Sequence, residues 1–163
     1  MSSRRGKHLS LVSYDHSGLS LEQLRELYRK VLESGMHGLC FSPYEEGQEP
    51  GDQLSEEQIR RRMEIIKPYT KWIRSFSCTE GNELIARIAK ENGIKTLVGA
   101  WLGDDPETNE KEMAGLIELS KAGYVDIAAV GNEVMYRGDL TEQELIEFIK
   151  RAKNHSHKYL EVI

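Results

Sequence analysis

Apolar positions recur along the chain in two alternating rhythms. Leu21, Leu24, Leu27, Tyr28, Val31 and Leu32 fall at helical spacing. So do Ile59, Met63 and Ile66, then Leu84, Ile85, Ile88 and Ala89, then Met113, Leu116 and Ile117, and finally Leu145, Ile146 and Ile149. These runs carry start signals. Ser20-Leu21-Glu22-Gln23, Ser55-Glu56-Glu57-Gln58 and Thr141-Glu142-Gln143-Glu144 have capping-box spacing, Asn82 can cap the third run, and Gly103-Asp104-Asp105-Pro106 turns into the fourth. Gly35, Pro68, Asn92-Gly93 and Gly123 are stop signals. Between the helices lie short apolar segments that read as strands: GLCFSPY at 38–44, KWIRSFS at 71–77, KTLVGAWL at 95–102 and VDIAAV at 125–130. Residues 1–7 read as a basic leader, 8–14 as a short strand, and 154–163, ending YLEVI, as a tail or fifth strand.

Strands that alternate with amphipathic helices predict βαβ units, right-handed crossovers and a parallel sheet. No Gly-x-Gly-x-x-Gly fingerprint follows a strand and no Walker-type lysine loop is present. A dinucleotide or nucleotide fold is therefore disfavoured. The expected fold class is α/β, a (β/α)8 TIM barrel or part of one, with 1–163 as a single domain.

The 163 residues suffice for one domain with a real core. Charge is mildly acidic, with 27 Asp and Glu against 22 Lys and Arg, and the basic residues are scattered among acids. The run Arg60–Arg62, next to Glu56, Glu57 and Glu64, reads as a solvated helix face, so no nucleic-acid partner is expected. No apolar stretch is long enough to span a bilayer, and the start is a poor signal peptide, which points to the cytoplasm and away from a membrane. Cys40 and Cys78 make no disulfide framework and read as reduced and mainly structural. His155-Ser156-His157 lacks further ligands, so no metal is expected, nor any cofactor.

The segment that draws the chemistry is VDIAAVGNEVMYR at 125–137. A buried strand there delivers Asn132 and Glu133 to its carboxyl end, where α/β folds place functional loops. Glu133 held in that way can serve as a general acid or base, or it can simply cap the next helix or make a surface ion pair.

Several segments in order resemble glycoside hydrolase family 17, the β-1,3-glucanase-like enzymes with a TIM barrel. They are GLCFSPY, QLSEEQIRRRMEII, WIRSFS, KTLVGAWL with a following Asn109, and VGNEVMYRGDLT. The resemblance runs from about Gly38 to Arg151 and covers the first half of such a catalytic barrel, about four to five βα units. It implies retaining chemistry with two glutamates. Glu133 matches the acid/base and Asn132 the asparagine that precedes it and bonds the sugar near the reacting centre. The second carboxylate, about 5–5.5 Å from the first, would attack the anomeric carbon directly. The family places that nucleophile at the end of the seventh strand, and no position here matches its motif, so the nucleophile is unknown. A full barrel takes about 250 residues. Glu80, Glu45, Glu46 and Glu161 are weak stand-ins, with Glu80 the one to test.

Further positions carry two readings each. Tyr44 matches an active-site aromatic or is a half-buried loop tyrosine. Arg74 and Phe76 sit in the family-like IRSFS, with Arg74 either a substrate contact or a buried arginine paired with a carboxylate. Trp101 stacks on a sugar or fills the core. Tyr136 and Arg137 line the cleft or anchor their loop. The expected activity is hydrolysis or transfer on β-1,3-linked glucan. The alternative is an inactive half-barrel that binds glucan, whose open sheet edges and apolar faces would favour a homodimer or a complementary half. An isomerase or aldolase is weaker, since no lysine or metal-ligand cluster stands at the strand ends.

Overall fold

The computed structural model describes residues 15–155 and 161–163. The expected leader, the expected strand at 8–14 and His157 lie outside the described residues. The chain divides between Ser34 and Gly35 into two units.

In the first unit, helix α1 is Leu21–Ser34. Its capping box forms as predicted: the Ser20 N–H donates to Gln23 Oε1 at 2.8 Å and the Gln23 N–H donates to Ser20 Oγ at 3.2 Å. None of its residues is buried, and Leu21, Leu24, Leu27, Tyr28 and Val31 form an exposed apolar stripe.

The second unit runs β1 (Leu39–Cys40), α2 (Glu56–Ile66), β2 (Trp72–Arg74), α3 (Glu83–Glu91), β3 (Lys95–Ala100), α4 (Pro106–Lys121), β4 (Ile127–Val130), α5 (Val134–Arg137), α6 (Glu142–His155) and β5 (Glu161–Val162). All five strands are parallel, and spatial order equals chain order. The tail thus supplies a fifth strand, with Ile127 opposite Glu161 and Ala128 opposite Val162.

All four strands read from apolar runs are shorter than those runs. Beyond Cys40 a single bond continues the pairing, from the Phe41 N–H to the Arg74 carbonyl, and Pro43 has no N–H to extend it. Past Arg74 the Ser75 N–H still reaches the Leu97 carbonyl. Strand β4 starts at Ile127, just after Asp126, whose N–H bonds the Thr96 carbonyl at 3.3 Å and whose carboxylate receives Lys90 Nζ at 2.7 Å and the Thr96 N–H at 2.8 Å. The caps of α2 and α6 form as expected, from Ser55 and Thr141, and Asp105 caps α4 at the turn before Pro106. Asn82 corrects the reading. It precedes α3 with a helical backbone and makes no side-chain cap; its amide instead donates to the Thr79 carbonyl and to Tyr44 Oη.

Helices bury one side of the sheet in two clusters. Phe41, Leu54, Ile59, Met63, Ile73, Ile85 and Ile88 form one, under α2 and α3. Val98, Ala100, Met113, Leu116, Ala128, Val130 and Val134 form the other, under α4 and α6. Strand side chains alternate in direction. Trp72, Arg74, Leu97 and Ile127 therefore fall on the other face, remain half-buried, and line a hollow of about 250 Å³ together with Cys40. Cys40 is exposed, contrary to a structural role, whereas Cys78 is buried and donates its thiol to the Gly99 carbonyl.

Candidate active site

Strand β4 ends in a sharp turn. Gly131 has φ +80°, and Glu133 adopts the left-handed region with φ +54°. That conformation costs an ordinary residue about 1–2 kcal/mol, so the surroundings must hold it. The holders are visible. The Glu133 carbonyl accepts the Arg137 N–H at 2.9 Å, which starts the one-turn helix α5. Arg137 then reaches back and donates to the Asn132 carbonyl, to the Leu102 carbonyl at 2.7 Å and to Asp139 at 2.6 Å. Its guanidinium lies 4.7 Å from the centre of the Trp101 ring. The turn after β4 is thus pinned to the end of β3.

The Asn132 side chain is held from the other side. Arg74 Nη2 donates to Asn132 Oδ1 at 2.7 Å, and the Arg74 guanidinium stacks 4.7 Å over Phe76. An arginine only donates, so Oδ1 is the bonded atom and the Asn132 NH2 is left to face other groups. Arg74 pairs with an amide and not with the carboxylate expected of a buried structural arginine.

Beside this turn lies a cleft of about 560 Å³ over the ends of β1, β2 and β3. Phe41, Tyr44, Phe76 and Trp101 supply its aromatic lining, and Gln48, Thr79, Glu80, Asn82 and Glu112 its polar groups. The structure therefore gathers Tyr44, Phe76, Trp101 and Glu80 in one cavity and joins Arg74 to Asn132. Trp101 is 41% exposed, which excludes the core reading. Tyr136 is 90% exposed and Glu133 is exposed; neither lines the cleft. Arg137 anchors its loop. Glu45 is engaged by Arg61, and Glu161 is on β5.

The sequence reading missed Glu112. It is 2% exposed on α4, with Oε1 accepting Ser77 Oγ at 2.5 Å and Thr79 Oγ1 at 2.7 Å, and Oε2 accepting the Cys78 N–H at 2.8 Å and the Trp101 N–H at 3.0 Å. Burial, and then the negative charges of Glu112 and Glu83, push the Cys78 thiol well above its ordinary range, which makes it a poor nucleophile. Among the described residues no group of three or more His, Cys, Asp and Glu is placed to hold a metal ion, and no helix is long and apolar enough to cross a membrane.

Residues 38–160 match the BtgE/BtgC glycoside hydrolase domain. The chain belongs to this family. It is 28% identical over 110 residues to a glucan 1,3-beta-glucosidase of Arthroderma benhamiae, covering 63% of this chain and 34% of that protein. A glucan 1,3-beta-glucosidase of Saccharomyces cerevisiae is 26% identical over 104 residues, covering 61% and 33%. One from Schizosaccharomyces pombe is 30% identical over 93 residues, covering 53% and 29%. The chain thus spans about a third of the length of these relatives. No solved structure matches it. Membership of a glycoside hydrolase family agrees with the resemblance to family 17.

Proposed function

We propose that this chain acts on β-1,3-glucan by retaining glycosidase chemistry, with Glu133 as acid/base and Asn132 beside it, on a sheet that is part of a (β/α)8 barrel. The observation that carries this is the strained Asn132-Glu133 turn at the carboxyl end of β4, pinned by Arg137 and Arg74 beside an aromatic cleft. The parallel order of the strands and the names of the relatives support the same reading.

In this scheme Glu133 gives its proton to the leaving glycosidic oxygen and later takes one from the incoming water. A second carboxylate attacks the anomeric carbon. The Asn132 NH2 donates to a sugar hydroxyl, since its oxygen is committed to Arg74. Phe76 and Trp101 offer faces on which sugar rings stack. Glu80 and Glu112 are the carboxylates lining the cleft. Four donors occupy Glu112, so Glu80 is the stand-in nucleophile to test.

A second reading is glucan binding without turnover. It is favoured by the half-buried apolar face of Trp72, Leu97 and Ile127, which further βα units or a second copy would cover. Both readings require the cleft to hold glucan. Titration of laminari-oligosaccharide, followed by tryptophan fluorescence, is expected to give saturable binding. Trp101→Ala should weaken it roughly five- to tenfold, the equivalent of about 1–1.4 kcal/mol of stacking. A folded wild-type chain that shows no saturation would overturn both.

A further inference from the structure

Helix α4 carries one carboxylate that looks, by its place among Glu107, Glu110 and Glu118, like another solvated helix charge. The fold instead drives Glu112 inward. Gly115 lies one turn on, and a Cβ there would meet the Cys78 carbonyl oxygen at 2.5 Å and Cys78 Cβ at 2.9 Å. A glycine at that position lets α4 approach the chain leaving β2 closely enough for Glu112 to reach two strand ends at once.

The four bonds to Glu112 come from two separate elements. Ser77, Cys78 and Thr79 form the loop after β2, and Trp101 follows β3. The Ser77 hydroxyl donates a hydrogen bond to Glu112 and its oxygen accepts the Thr79 N–H at 3.2 Å, so the loop closes on itself around the carboxylate. Ser77, Thr79, Glu80 and Trp101 all line the cleft. Ser77, Cys78, Thr79 and Trp101 all donate to Glu112, whose two oxygens accept two bonds each.

We propose that Glu112 is a positioning residue for the cleft: it holds the 77–79 loop and the Trp101 backbone in one arrangement, so that the sugar-facing wall exists before ligand arrives. The proposal rests on the glucan reading for its ligand, but not for its geometry. Removing the carboxylate leaves the fold's two clusters in place and frees the wall to move.

The experiment compares wild-type chain with E112Q, E112A and V125A. Val125 belongs to the cluster under α4 and precedes β4, away from the cleft, so V125A is a control for general destabilisation. The readouts are laminari-oligosaccharide affinity and hydrogen exchange at the Trp101 and Cys78 amides. E112Q should bind within about twofold of wild type, because its carbonyl oxygen keeps both backbone N–H groups and the two hydroxyls turn to accept from its NH2. E112A should lose at least about tenfold in affinity and lose protection at both amides. V125A should lose stability with affinity unchanged. Should E112A fail to fold, S77A/T79V removes only the hydroxyl donors and should weaken binding while Trp101 protection stays. The proposal is overturned if E112A keeps wild-type affinity and amide protection, if V125A loses affinity as E112A does, or if S77A/T79V binds as wild type. If wild-type chain binds no oligosaccharide, the glucan reading falls, while amide exchange in E112A still decides the role of Glu112.

Discussion

Replacing Gly115 by alanine sets two known effects against each other. Within a helix, alanine is more favourable than glycine by about 1 kcal/mol, so an exposed site would gain stability. At Gly115 the new methyl would stand 2.5 Å from the Cys78 carbonyl oxygen, well inside contact distance. Cys78 cannot yield freely, because its N–H is bonded to Glu112 and its thiol to the Gly99 carbonyl. Relief must come from moving α4 outward, which stretches the four bonds to Glu112. Overpacking of this kind costs about 1–3 kcal/mol, and a strained buried hydrogen bond adds about 1 kcal/mol. The balance is a net loss of about 1–3 kcal/mol. Urea unfolding followed by circular dichroism would measure it, with Ala114→Gly, at an exposed site on the same helix, calibrating the propensity term. A Gly115→Ala chain that gains stability would refute the close approach of α4 to the loop after β2.

Other outcomes follow from the same contacts. Arg137→Met should loosen the Asn132-Glu133 turn and unstack Trp101, seen as a change in Trp101 emission in a Trp72→Phe background and a stability loss of about 1–2 kcal/mol; unchanged emission would sink the clamp. Burial acts to raise the Asp126 carboxyl, but the Lys90 ammonium and the Thr96 N–H outweigh it and hold it below its ordinary value of 3.8. A depressed carboxylate stabilises the fold above its unfolded value and loses that contribution as pH falls through the folded one. Asp126→Asn should therefore be less stable than wild type at neutral pH, with the gap closing below about pH 4; a gap constant down to pH 2 would contradict this.

The helices were legible because their signals are local. Ser20, Ser55 and Thr141 cap as their spacing predicts, and the stops at Gly35, Asn92-Gly93 and Gly123 all appear. Strand lengths were less so, since a parallel strand ends where its partner's groups run out, which lies far away in the chain. Asn82 misled because its backbone is already helical, not the extended form a capping residue takes, and its NH2 donates to Thr79 and Tyr44. The rim aromatics Tyr44, Phe76 and Trp101 could be named from strand ends, but their convergence on one cavity is a property of the sheet. The bond from Arg74 to Asn132 spans 58 residues and has no local signature. Glu112 was hidden among surface charges. The one clue was Gly115, a glycine inside a helix, which marks a place where two backbones come close.

The most direct test of Glu133 is release of reducing sugar from a soluble β-1,3-glucan by wild-type chain beside Glu133→Gln, each verified as folded. A general acid/base at that position predicts release by wild type and a drop of at least about a hundredfold in the variant. Equal rates in the two chains, or no release from folded wild type, would contradict it.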